Sequence, residues 1–326
     1  LNFTRKGFHM AHHFPNGADV LVSECGPRDG LQILSETMAT HHKLRWIDAL
    51  YDAGLREIEV CSFVPARLMP QMADAVEVVA HARTLPGLTV LALVPNLRGA
   101  RAAFEAGADK ITIPVSGSMA HSMANVRKTP DEQVAEVARI VELRNELAPR
   151  VPIEANISVA FGCTMEGRVS EDEVIRLAVA LVAAGVDDSG LSDTTGYANP
   201  AQTKRLFTRL IGEIGDKVGG AHMHNNRGLA LANCLAAYEA GVRIFDSSAC
   251  GLGGCPHAPG AAGNAVTEDL VFMFESMGIS TGIDLAKLLA AREHIVTGLP
   301  DVPLYGMTWD SGLPKGFVAA KEARHV

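Results

Sequence analysis

Four times in this chain a stretch with helical spacing stops on Ala-Gly and passes into a run of β-branched and aliphatic residues: Ala53-Gly54, Ala106-Gly107, Ala184-Gly185 and Ala240-Gly241. Glycine ends a helix well because it accepts left-handed backbone just past the last turn. Strand after helix, repeated, is the pattern of parallel strands joined by crossover helices. The β-type runs are 19–24, 57–63, 89–95, 110–116, 152–161, 186–194, 221–225 and 242–249. Helical spacing fills the intervals, as in 41–53, 69–84, 131–147, 171–184, 200–214 and 229–240. Eight such units predict an α/β chain folded as a (β/α)8 (TIM) barrel. A doubly wound open sheet is the second choice, and the count of eight decides against it.

No Pro-, Gly- or Ser-rich linker divides the 326 residues. The expected division is a leader at 1–17 set apart from the fold, a barrel domain at 18–300 and a tail at 301–326. An additional C-terminal helical segment is expected at 285–295. The leader has scattered histidines and no apolar core, so it does not read as a signal peptide. The tail is spotted with Gly and Pro and is expected to owe any order to packing.

Composition narrows the partners. The net charge is −8 with no basic block, and aromatics are 5%. Neither suits a nucleic-acid groove or a base-stacking platform. No run of about 18 apolar residues exists, so no membrane span is expected. The six cysteines form no CxxC and are too sparse for a disulfide scaffold, which points to the cytoplasm. The partner expected is a small molecule, and a homo-oligomer, dimer or tetramer, is the expected assembly.

In a barrel of this kind chemistry sits at the C-terminal ends of the strands. Polar residues collect there: Arg28-Asp29 after strand one, Glu59 in strand two, Asp193 at the end of strand six, His222 and His224 in strand seven, and Cys255 in a Gly-rich loop after strand eight. Residues i and i+2 of a strand share a face, so His222 and His224 project together. Two imidazoles there suit a metal, or serve as two polar positions of the interior. Asp29 and Asn264 are available oxygen donors, a set that favours Mg2+ or Mn2+ over closed structural zinc. Glu59, between Ile58 and Val60, points inward and needs a partner; Arg28 is the obvious one, in a structural or a functional pair. Asn264 also fits as cap of the following helix, with Glu268 and Asp269 at its positive end. Dinucleotide (GxGxxG after a strand), P-loop and GxSxG signatures are absent.

Taken together, 25–32 (CGPRDGLQ), 59–64 (EVCSFV), 191–194 (LSDT), 222–225 (HMHN), 229–233 (LALAN), 251–256 (GLGGCP) and 263–269 (GNAVTED) resemble the 3-hydroxy-3-methylglutaryl-CoA lyase family of metal-dependent barrels. The resemblance implies metal ligands at Asp29, His222, His224 and Asn264. It implies catalytic roles for Arg28, His222 and Cys255, with Glu59 and Asp193 supporting the site. The implied reaction cleaves an acyl-CoA into acetyl-CoA and acetoacetate, with Asp29, Asp193 or His222 as base and Cys255 or His222 as proton donor. The chain departs from the family's usual wording at 225–227 (NNR for Asp-Thr-Tyr), 116–119 (SGSM) and 162–167 (GCTMEG). These departures keep two alternatives open. One is a related 3-hydroxyacyl-CoA such as citramalyl-CoA or a longer homologue. The other is condensation of acetyl-CoA with a 2-oxo acid, as in isopropylmalate synthase. Arg67, Arg127 and Lys128 are candidates for contact with CoA phosphates. Arg28→Met is expected to slow turnover with little effect on the fold.

Overall fold

The computed structural model describes residues 14–253 and 263–323. Eight parallel strands close into a barrel in chain order: β1 (Leu21–Glu24), β2 (Glu57–Ser62), β3 (Thr89–Leu93), β4 (Lys110–Ser116), β5 (Ile153–Ser158), β6 (Ser189–Asp193), β7 (Val218–Met223) and β8 (Ile244–Ser247). The ring shuts where β1 pairs with β8, Leu21 beside Ile244 and Ser23 beside Asp246. All four Ala-Gly stops work as expected, with φ of 109°, 87°, 100° and 120° at Gly54, Gly107, Gly185 and Gly241.

Three boundaries differ from the sequence reading. The expected helix 69–84 is a short turn, Pro70–Met72, and then a helix, Ala75–Ala82. The Asp74 carboxylate is taken by Lys43 and Thr40 and caps nothing. β5 ends at Ser158 because Val159 adopts φ 52°, which no strand tolerates. β7 begins at Val218, earlier than expected, because Gly219 and Gly220 lie in the sheet despite their low strand preference. The interior requires Gly219, where a Cβ would lie 2.8 Å from Asp188 Oδ1. Facing them, a Cβ on Gly190 would lie 2.3 Å from Asn156 Oδ1.

Those glycines make room for charge inside the barrel. Lys110, which opens β4, reaches Glu154 at 2.7 Å and Glu57 at 3.4 Å, and all three are buried. Burial, reinforced by Glu154, pushes the neighbouring Asp188 carboxyl up to about 8. This layer sits at the N-terminal ends of the strands, the face that serves stability rather than chemistry.

The helix Leu285–Gly298 is capped by Asp284, which accepts the amides of Ala286 and Lys287, and lies against the helix Thr40–Asp52. The tail beyond is tied down by carboxylates. Asp269 accepts the amides of Met307 and Thr308, and Glu275 accepts that of Ala320. Among the described residues no helix is long and apolar enough to cross a membrane.

Candidate active site

β1 ends in Glu24, and the site is assembled on that carboxyl. Its Oε1 accepts the amides of Gly26 and Ala249, each at 2.8 Å, and its Oε2 accepts the Thr267 hydroxyl at 2.6 Å. Gly26 is glycine because a Cβ there would sit 2.5 Å from that oxygen and 2.8 Å from Trp46. The chain then makes one wide helical turn, Gly26–Gly30, with the Asp29 amide returning to the Cys25 carbonyl at 2.7 Å. Arg28 and Asp29 are thereby held, buried, at the barrel mouth.

Arg28 forks between two carboxylates. One Nη donates to Asp29 Oδ1, and the other lies 2.6 Å from Glu59 Oε2. Glu59 reaches it from β2, whose register with β3 slips between Glu59 and Cys61. Burial alone would lower the guanidinium pKa, but Asp29 and Glu59 outweigh it and hold the charge firmly. Burial alone would also raise Asp29, but the Arg28 charge brings it down to about 2. Asp29 is thus a fixed anion. Its Oδ1 also takes the Gln32 amide at 2.6 Å, and its Oδ2 takes the Asn264 amide at 2.6 Å.

His222 and His224 face the same way, as their spacing predicts, with Nε2 atoms 3.0 Å apart. Both lie beside Asp29 Oδ2, at 4.0 and 3.9 Å. Burial and the adjacent His222 depress His224 to about 4, leaving it neutral with a lone pair to offer. Burial would lower His222 too, but Asp246 Oδ2 at 3.1 Å from its Nδ1 outweighs burial and raises it.

Asn264 arrives on a segment that extends the end of β7: the Ala265 amide bonds the Met223 carbonyl, and His224 and Asn264 form a bridge. It is therefore not a helix cap. The helix begins at Thr267, with Val266 in the cap position. Glu268 and Asp269 do lie in its first turn. Glu268 turns away from the metal-type cluster to accept the Cys250 amide at 3.0 Å.

The donors fit a divalent cation. Asp29, His222 and His224 offer ligand atoms all within 4.8 Å of one another. The Asn264 amide oxygen beside them is buried and has no hydrogen-bond partner. Two imidazole nitrogens, a carboxylate and an amide oxygen form a mixed set that suits an open catalytic site.

Asp193 closes β6. Its Oδ1 accepts the amides of Tyr197 and Ala198 at 2.8 and 3.1 Å, while its buried Oδ2 has no partner. Burial, outweighing those two bonds, pushes it up to about 7. Cys255 lies outside the described residues. Of the three CoA candidates, Arg67 and Arg127 are exposed, whereas Lys128 is already paired with Glu136 at 3.2 Å.

Sequence reasoning missed Asp246. The signal was present: an acid inside a strand, between Phe245 and Ser247, is the same mark that singled out Glu59. Its register opposite His222 was not readable without the sheet. Asp246→Asn removes the charge that orients the imidazole. The expected result is a 10- to 100-fold loss of turnover or metal affinity, the usual cost of such outer partners, read by steady-state kinetics and metal titration. An unchanged rate and affinity would make Asp246 a packing residue.

The HMGL-like family matches over residues 19–295. A hydroxymethylglutaryl-CoA lyase of Bacillus subtilis is 40% identical over 283 residues, covering 86% of this chain and 93% of the relative. The mitochondrial enzyme of the same name from Macaca fascicularis is 38% identical over 280 residues, 86% of each chain. A solved Bacillus subtilis HMG-CoA lyase superposes with a TM-score of 0.85 at 37% identity, covering 91% of this chain and 99% of that one.

Proposed function

This chain belongs to the HMGL-like family, and from that membership we propose that it is a carbon–carbon lyase cleaving 3-hydroxy-3-methylglutaryl-CoA to acetyl-CoA and acetoacetate. The observation that carries the reading is Asp29 itself, neutralised by Arg28 on one oxygen and facing two imidazoles with the other. The names of its relatives favour this acyl group over citramalyl-CoA and over the condensing direction.

Asp29, His222, His224 and Asn264 would hold the cation, with Mg2+ or Mn2+ our assignment. When bound, the cation polarises substrate oxygens and eases ionisation of the tertiary hydroxyl. The hydroxyl proton leaves to a base, the O–H electron pair becomes the ketone of acetoacetate, and the bond between C2 and C3 breaks. Its electrons pass onto C2 and the thioester oxygen as an enolate, which gains a proton to become acetyl-CoA. Asp29 is too acidic and too engaged to be the base. We assign that role to Asp193, whose free Oδ2 and pKa near 7 suit it. Arg28, fixed by its two carboxylates, stabilises the charge that develops on the thioester oxygen. His222, its Nδ1 held by Asp246, offers Nε2 to the cation, and the return of a proton is assigned to Cys255.

The direct test incubates metal-supplemented protein with a panel of 3-hydroxyacyl-CoA thioesters and scores products by mass. Acetyl-CoA and acetoacetate in equal amounts from the 3-hydroxy-3-methylglutaryl thioester are expected. Turnover of another thioester alone would reassign the acyl group, and free CoA released from acetyl-CoA plus a 2-oxo acid would reverse the direction.

A further inference from the structure

After His224 the chain reads NNRGLALANCLAA over 225–237, a run of Leu and Ala broken by one more asparagine. That residue, Asn233, stands in the helix Ala230–Ala240, whose other buried positions are small: Ala230, Cys234, Ala236 and Ala237. It has no exposed surface. Asparagine is a poor helix former, and an amide hidden from water costs free energy unless it is hydrogen-bonded. Asn233 offsets only part of that cost. Its Nδ2 donates to the Ala198 carbonyl at 3.2 Å, while its buried Oδ1 has no partner. An apolar side chain would carry no such cost, so packing alone does not account for an amide here.

The single bond ends on the loop that holds Asp193. From β6 the chain runs through 194–199 to the helix Pro200–Ile214. The first half of this loop is pinned to the end of β5: Thr194 Oγ1 accepts the Val159 amide at 3.0 Å, and the Thr195 hydroxyl donates to the Gly162 carbonyl at 2.8 Å. Arg227 Nη1 donates to the carbonyls of Thr195 and Gly196, at 3.2 and 2.9 Å. The second half, Tyr197 and Ala198, carries the two amides that fix Asp193 Oδ1. Asn233 ties this half across to the neighbouring helix.

The start of that helix leads back to the imidazoles. Asn225, next to His224, accepts the Ala230 amide at 3.2 Å with its Oδ1, and its own amide bonds the Gly263 carbonyl at 3.0 Å. Ala230 and Asn233 lie about one turn apart. The first turn of the helix is thus a spacer of fixed length, bolted to the end of the ligand strand by Asn225 and to the Asp193 loop by Asn233. We propose that Asn233 is a positioning residue that sets where the Asp193 carboxyl stands relative to the imidazoles of His222 and His224. This rests on the assignment of Asp193 as the base. The tie also bears on charge. The amides of Tyr197 and Ala198 favour the ionised carboxyl, as do the charged groups facing it, His222 and Arg227. Loosening the loop weakens the two amide bonds, so the carboxyl keeps its proton to higher pH.

The test compares Asn233→Leu, which keeps the bulk, and Asn233→Ala, which cannot clash, with wild type in metal-supplemented protein. In both variants kcat is expected to fall about tenfold to a hundredfold, with KM and Mg2+ affinity within about twofold of wild type. The acid limb of kcat should move to higher pH by about half a unit, which a loss of folded protein alone would not do. Adding Asn233→Ala to Asp193→Asn should slow turnover no further, because both act through one carboxyl. Hydrogen exchange at the Tyr197 and Ala198 amides reads the tie without turnover and should quicken in Asn233→Ala. Unchanged exchange, a kcat within about twofold of wild type in folded Asn233→Ala, or losses that multiply in the double variant overturn the proposal. Full turnover in Asp193→Asn, with exchange still quickened in Asn233→Ala, would instead refute the assigned base and leave the tie standing.

Discussion

Arg28→Met lowers kcat by about a thousandfold or more, roughly 4 kcal/mol of transition-state stabilisation. In the proposed reaction the guanidinium is the fixed positive charge beside the developing enolate, and methionine fills much of its volume without its charge. The variant also leaves Glu59 buried with no counter-ion and takes one from Asp29, which costs about 3–5 kcal/mol of folding stability. The buried pair makes a loss of stability the expected outcome, where the sequence alone suggested little effect on the fold. Thermal melting beside kinetics separates the two effects. Arg28→Lys keeps the charge but loses the fork, so it should recover more stability than turnover. A kcat within tenfold of wild type in a folded Arg28→Met protein would remove Arg28 from the chemistry.

Exhaustive chelation is expected to abolish turnover, and added Mg2+ or Mn2+ to restore it. The second imidazole carries much of this dependence. His224 is neutral near pH 7 and faces Asp29, so His224→Ala should weaken metal affinity by about 100-fold or more. Calorimetry and elemental analysis of the dialysed protein measure it. Full activity in a protein verified to be metal-free would defeat the assigned mechanism, and undiminished affinity in His224→Ala would remove that imidazole from the ligand set.

Periodicity exposed the barrel because its crossover helices end on glycine and its strands are mostly aliphatic. It failed at β7, where Gly219 and Gly220 look like a turn although they lie in the sheet, Gly219 leaving room for the Asp188 carboxyl of the neighbouring strand. Strand spacing alone placed the two imidazoles on one side, and burial logic alone paired Glu59 with Arg28. The ligand set itself rested on family resemblance. Asp246 and the dual engagement of Asp193 escaped notice because both depend on register and loop closure, which relate residues far apart in the chain. Asn264 showed two faces in sequence, and only its pairing with His224 removed the capping role.

Glu24 is wholly buried, and its two oxygens fasten the Arg28 turn, the end of β8 and the helix at Thr267 to one another. A mutational screen that scores activity alone would therefore misfile it among the chemical groups. The same economy concentrates risk there: three distant stretches of chain meet on one carboxyl, so a change at Glu24 loosens all of them together.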